Sequence, residues 1–213
     1  MVNMIETTEQ KILEAAKKIF HQKGFDGARM QEIADEAGIN KALVHYYYRS
    51  KDNLFEAVFE DALSQLVGKL GEIFYSELTL QSKIEIFLNY YLTFLSQNSY
   101  LPMFILNSLY NKPEHFKALL EKKLFSPNRL ILQIKQQLKE EMNLDIDPLL
   151  MYINILSVCV FPVIARPLIQ NIFAYSPEEM EVFYEQRKKL VSEFIINALK
   201  GYKNEATETK TAV

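Results

Sequence analysis

Apolar residues recur at spacings of three and four along almost the whole chain, and little interrupts them. Ile12, Leu13, Ala16, Ile19 and Phe20 form one such stripe, and Leu54, Phe55, Val58, Phe59, Ala62 and Leu63 begin another that continues to Phe74. On a helix of 3.6 residues per turn each stripe lines a single face. Only six glycines and seven prolines fall among 213 residues, which is too little punctuation for many short strands, and no alternating pattern competes. The expected fold class is therefore all-α: an N-terminal three-helix domain followed by a larger helical domain.

The punctuation that does occur sets the expected boundaries. Thr7 or Thr8 caps a first helix that Gly24 ends, with Phe25, Asp26 and Gly27 as connector. Met30–Ala37 reads as a short helix stopped by Gly38, and Asn40 caps a second short helix carrying Leu43, Val44, Tyr47 and Tyr48. Two short helices about a glycine turn make a helix-turn-helix, with Ala34 and Gly38 expected to permit close approach. Ser50 caps a long helix that runs to Phe74, and further helices are expected near 80–98, 101–111, 113–143, 147–174 and 177–202. Pro127, Pro162 and Pro167 should break or kink whatever helix contains them. The domains expected are 1–50, 51–202 and a mobile polar tail over 203–213.

Composition narrows the setting. Apolar residues make up 49% of the chain and charged ones 24%, an ordinary globular balance. Cys159 is the single cysteine, so there is no intrachain disulfide framework, CxxC pair or thiolate cluster, and a reducing compartment fits. Met1–Gln10 lacks the apolar core of a secretory signal, so a cytoplasmic location is expected. The apolar run from Pro148 to Ala165 contains Asn154, Ser157 and Pro162 and is closed by Arg166, which suits a buried helix better than a membrane span. Arg166 itself reads as ending a helix at the surface, or as pairing with an anion or across an interface.

The formal net charge is −3, yet no acidic residue occurs between Asn40 and Lys51, where Lys41, Arg49 and Lys51 make a positive island. Lys41, Ala42 and His45 lie near the start of the second short helix and are placed to meet base edges. Tyr46 and Tyr47 carry hydroxyls that reach phosphate oxygens, and Lys51 stands at a helix N-terminus that attracts phosphate. Arg29, Gln31 and Asn40 complete the candidate DNA-binding set, Arg29 as a clamp on the backbone. Tyr48 is expected inside.

The run from Phe25 to Leu54 resembles the signature of the TetR family of transcriptional regulators, through its I-A-x-x-A-G turn, its aromatic cluster and S-K-D-x-L at the start of the long helix. The resemblance covers about thirty residues in register. It implies a homodimer whose recognition helices enter successive major grooves of a palindromic operator and leave it when a small molecule binds the core. It also implies base contacts from Lys41, Ala42 and His45 and phosphate contacts from Tyr46, Tyr47 and Lys51. Two departures stand out: Ala28 and Arg29 replace the usual hydroxyl residues, and His45 occupies a common tyrosine position.

In the core, Tyr91, Phe94, Phe104, Asn107, Tyr110, Phe125, Tyr152 and Asn154 are candidates to line a pocket for an apolar or amphipathic ligand. The resemblance assigns dimerisation to the last two helices, where Phe183, Leu190, Phe194, Ile195 and Leu199 give the final one an apolar face. A lone chain would bury that face within itself. His21, His45 and His115 are scattered and no HExxH, GxSxG or phosphate-binding loop occurs, so neither catalysis nor a cofactor or metal is expected. Repression is the expected mode, with activation or ligand-independent DNA binding by the same head as the alternative.

Overall fold

The structure, a computed structural model, describes residues 7–111, 113, 114, 117, 118 and 127–211. Ten helices follow one another among these residues: α1 (Thr8–Gly27), α2 (Met30–Ala37), α3 (Lys41–Tyr48), α4 (Lys51–Phe74), α5 (Leu80–Gln97), α6 (Leu101–Asn111), α7 (Pro127–Met142), α8 (Pro148–Ile164), α9 (Arg166–Ile172) and α10 (Pro177–Thr211). No strand occurs among the described residues. The chain forms two compact units, Met1–Gln65 with Asn98–Pro113 and Leu66–Gln97 with Glu114–Val213. The division therefore falls inside α4 rather than at its start, and α6 belongs with the head. The cause is aromatic packing.

In the head unit Phe55 of α4 is the hub. Its ring lies 4.6 Å from Phe20, 5.0 Å from Phe25, 5.6 Å from Tyr100 and 4.5 Å from Phe104, while Phe59 meets Phe104 at 5.1 Å. Ile12, Ala16, Ile33, Ala34, Val44 and Leu54 close the same core with essentially no solvent contact. The edge-on and tilted ring pairs add attraction beyond the area they bury.

Thr7 caps α1 through a reciprocal pair: the Gln10 N–H donates to Thr7 Oγ1 and the Thr7 N–H to Gln10 Oε1. Gly24 adopts φ 68° and ψ 179°, a conformation open only to glycine, so the regular helix stops there and one further turn reaches Gly27. Gly38 sits at φ 65° and ψ 33°, and its N–H donates back to the Ala34 and Asp35 carbonyls. A side chain at Gly38 would meet nothing within 4 Å, so the turn needs glycine for its backbone angle and not for close approach.

In the second unit α5 packs against α10, α7 and α8. Lys83 is 1% exposed there, and its ammonium donates to the Phe74 carbonyl at the end of α4 and to Gln137 of α7. Gln133 donates to the same Phe74 carbonyl, and Glu141 accepts the Leu80 N–H at the start of α5. These polar groups satisfy helix ends that would otherwise be buried without partners.

Pro127 and Pro148 open helices, and Pro167 stands in the first turn of α9, where the missing N–H costs nothing. Pro162 behaves differently. It lies inside α8, which continues to Ile164 before a 54° bend into α9. Its lack of an N–H orphans the carbonyl of Val158 four residues earlier, and Arg187 of α10 donates to that oxygen at 2.7 Å. Arg166 is half-buried at the first position of α9, at that bend.

Two further expectations change, and the orientation of α3 is settled. The run from Pro148 to Ala165 buries only one face, around Ile155, Cys159 and Val163, and leaves Leu149, Leu150, Ile153 and Phe161 exposed. α10 continues to Thr211 rather than stopping at Tyr202. Leu43 faces outward, since Val44 and Tyr48, four apart, already fill the inward side of α3. No single helix among the described residues is long and apolar enough to cross a membrane.

Candidate nucleic-acid interface

The outer surface of α3 is built by what its inner surface buries. Val44 and Tyr48 anchor it in the head core, and burial pushes the Tyr48 hydroxyl up to about 12. That leaves Lys41, Ala42, His45, Tyr46 and Tyr47 exposed, Tyr46 at 79% and Tyr47 at 42%. The Tyr46 and Tyr47 rings meet edge to face at 5.4 Å, so each hydroxyl is carried by a partly immobilised ring. Lys41 has no acidic residue on its own helix.

Asn40 and Gln31 are exposed, but their side chains are in use. Asn40 Oδ1 accepts the Ala42 N–H and so caps α3, while the Gln31 amide donates to Asp35 one turn on. Arg29 is exposed at the N-cap of α2 and supplies no side-chain cap there. Its N–H is held instead by Glu32, which also pairs with Lys23 at 2.8 Å.

Lys51 departs most from expectation. Its ammonium donates to the carbonyls of Phe25, Asp26 and Ala28 at 2.8, 3.4 and 3.3 Å and lies 4.4 Å from the centre of the Phe25 ring. All three protons of the lysine are thus directed at the segment from Phe25 to Ala28, the last turn of α1 and the connector that follows it. It pins that connector, and with it Arg29, against the start of α4. Nothing in the spacing of the sequence announced this, because the three carbonyls come from main chain more than twenty residues away.

The pocket candidates divide between the two compact units, and within the second one Tyr91 of α5 lies within electrostatic reach of Tyr152 of α8. Tyr91 and Phe94 are buried on α5, and Tyr152 and Asn154 are exposed on α8. Phe104, Asn107 and Tyr110 sit on α6 in the other compact unit. There Phe104 is part of the head's ring cluster, Asn107 bonds Asn111, and Tyr110 is 87% exposed. Phe125 lies outside the described residues. On α10, Ile195 and Leu199 are buried within the chain itself, whereas Leu190 and Phe194 are exposed and Phe183 packs on Tyr175, Tyr184 and Arg187. The outward apolar positions that the spacing alone did not single out are Val182 on α10 and Leu150, Ile153 and Phe161 on α8.

Two short helices about a left-handed glycine, the second turned outward with cationic, imidazole and phenol groups, define a helix-turn-helix DNA-binding head. Residues 12–58, the head, match the model of the bacterial regulatory proteins of the tetR family. Over 55 residues it is 40% identical to the HTH-type transcriptional repressor NicS of Pseudomonas putida, covering 26% of each chain. Over 59 residues it is 39% identical to the HTH-type transcriptional regulator RutR of Escherichia coli, covering 28% of each. Such alignments span about a quarter to a third of the curated relatives' length. The fold extends further: FadR from Bacillus subtilis, solved in complex with stearoyl-CoA, superposes with a TM-score of 0.61 over 87% of this chain and 96% of its own at 15% identity.

Proposed function

We propose that this protein is a transcriptional repressor that binds a palindromic operator as a homodimer and releases it when a small apolar or amphipathic molecule enters the helical core. The observation that carries the DNA-binding part is the outer face of α3, where Lys41, His45, Tyr46 and Tyr47 are all exposed above buried Val44 and Tyr48. Lys41 and His45 lie one turn apart and present to the bases, while the two phenols and Arg29 reach phosphates on either side. Lys51 acts on the same complex through the connector it pins. The reading places the protein in the cytoplasm with its DNA.

Pairing is supported by the outward apolar face of α8 and α10, in which Leu150, Phe161, Leu190 and Phe194 are each more than 60% exposed. A face of that size is uncommon on a chain that works alone. Ligand release is supported by the large helical unit attached to a head that needs no such mass to read DNA, and by the long-chain acyl thioester seen in the FadR fold relative. Protection of the DNA flanking the protein's own coding sequence tests the proposal. The expected result is a two-fold symmetric footprint at submicromolar protein that fades when long-chain acyl compounds are added. Absence of protection would overturn the DNA-binding assignment, and a footprint indifferent to every apolar compound tried would overturn the sensing one.

A further inference from the structure

The ring of His45 is not free to choose its tautomer. Nδ1 lies 3.1 Å from the carbonyl oxygen of Arg49, and a carbonyl can only accept, so Nδ1 carries the hydrogen. Arg49 is the C-cap of α3 at φ 61° and ψ −44°, and among the described residues of the head it is the one non-glycine residue with positive φ. Its own N–H donates to the His45 carbonyl at 2.9 Å. The two residues are therefore joined twice, main chain to main chain and ring to main chain, and the left-handed turn is what brings the Arg49 carbonyl round to meet the imidazole. Arg49 and its neighbour Ser50 lead directly into α4, so this closure is also the end of the recognition helix.

With Nδ1 occupied, the neutral imidazole has one polar atom left. Nε2 is a bare acceptor on an exposed side chain, one turn beyond Lys41. In the major groove guanine offers only acceptors, N7 and O6, and thymine offers O4 and a methyl group, whereas adenine N6 and cytosine N4 donate. An acceptor fixed in this way can pair only with the last two. Lys41, donor-only, has the opposite demand and suits guanine or thymine. A tyrosine at position 45 would carry a hydroxyl that serves either sense and would impose no such choice.

We propose that His45 is a specificity-determining residue whose Nε2 accepts from the exocyclic amine of an adenine or cytosine, because Arg49 commits its Nδ1 as donor. The inference rests on the reading of α3 as the base-contacting helix. Each half-site then carries, on the strand that His45 reads, one position restricted to adenine or cytosine, and a separate position where Lys41 favours guanine or thymine.

Two measurements test it. Long-range proton–nitrogen correlation spectra of the free protein, with the His45 ring assigned through a His45→Gln variant, are expected to show a protonated Nδ1 and a pyridine-like Nε2; the reverse pattern overturns the proposal. Selection from a pool of randomised duplexes is expected to give wild-type protein roughly fivefold preference for adenine or cytosine at one position per half-site, about one neutral hydrogen bond. That preference is lost in His45→Ala while the Lys41 position is retained. His45→Gln, whose amide reaches the Nε2 position with both a donor and an acceptor, is expected to broaden the choice to include guanine. Guanine or thymine selected at that position by the wild type, or an unchanged profile in His45→Ala, overturns the assignment of His45 alone. Failure of the wild type to enrich any duplex removes the DNA-binding reading and this inference with it.

Discussion

The head unit gathers its aromatic rings around one hub, whereas the second unit leaves phenylalanine and leucine side chains of α8 and α10 more than 60% exposed. In the head, Phe20, Phe25, Tyr100 and Phe104 gather around the ring of Phe55, and the aromatic groups left outside, Tyr46, Tyr47 and Tyr110, all carry hydroxyls. In the second unit a core of comparable quality around Leu88, Ile84 and Met180 coexists with exposed leucine, isoleucine and phenylalanine side chains on α8 and α10, among which Tyr152, Asn154 and Ser157 are the polar groups on α8. Exposed phenol, imidazole and ammonium groups ask for a partner with acceptors and phosphates. Exposed aliphatic and phenyl groups ask for another apolar surface. One chain thus presents two surfaces that differ in chemistry, one matching the proposed DNA contact and the other the proposed pairing.

The largest effect expected is at the hub of the head unit. Phe55→Ala removes the ring that four others touch and should destabilise the head by about 3 to 5 kcal/mol, measured by denaturant unfolding. A cost below about 1 kcal/mol would mean that the ring cluster is not what holds α6 to the head. On the second unit, the double substitution of Leu190→Asp and Phe194→Asp should weaken self-association by roughly 100-fold or more, as loss of central apolar anchors does. Sedimentation would then move the mass toward the 24.9 kDa of one chain, with the helical signal unchanged. An unaltered sedimentation profile would detach this face from pairing.

Lys51→Met sharpens the contrast within the head. It removes the donor to three connector carbonyls and should cost about 1 to 3 kcal/mol of stability, as well as DNA affinity. If the lysine served phosphate alone, stability would be unchanged and only binding would fall. The smallest effect concerns Cys159. Burial pushes its thiol up to about 12, with Arg187 opposing the shift. The folded chain is therefore expected to ignore a thiol reagent at pH 8 and to react fully once denatured; rapid labelling of the native protein would show that the core around Cys159 is open.

The head unit was the more legible from the residues. Thr7, Gly24, Gly38, Asn40 and Ser50 each do locally what their chemistry suggests, because capping and left-handed turns depend on neighbours within four residues. Periodicity also marked α3 but could not orient it: Leu43 and Val44 look alike, and only packing decides that Val44 goes in. Where a partner lies far along the chain the spacing is silent. That is why Lys51 reads as a phosphate contact and is found in a nest of carbonyls, and why neither buried Lys83 nor Arg187, with its rescue of the carbonyl freed by Pro162, announced itself. The same limit spread the pocket candidates over two units, since an aromatic residue at helical spacing looks the same whether it meets a ligand, a core or solvent.

Photo-cross-linking from the two faces tests the division of labour most directly. A photo-reactive phenylalanine replacing Tyr46 on α3, or replacing Phe194 on α10, is irradiated in the presence of DNA carrying the protected site. The account expects position 46 to capture DNA and position 194 to capture a second copy of the chain. Capture of DNA from position 194, or of protein and no DNA from position 46, would contradict it.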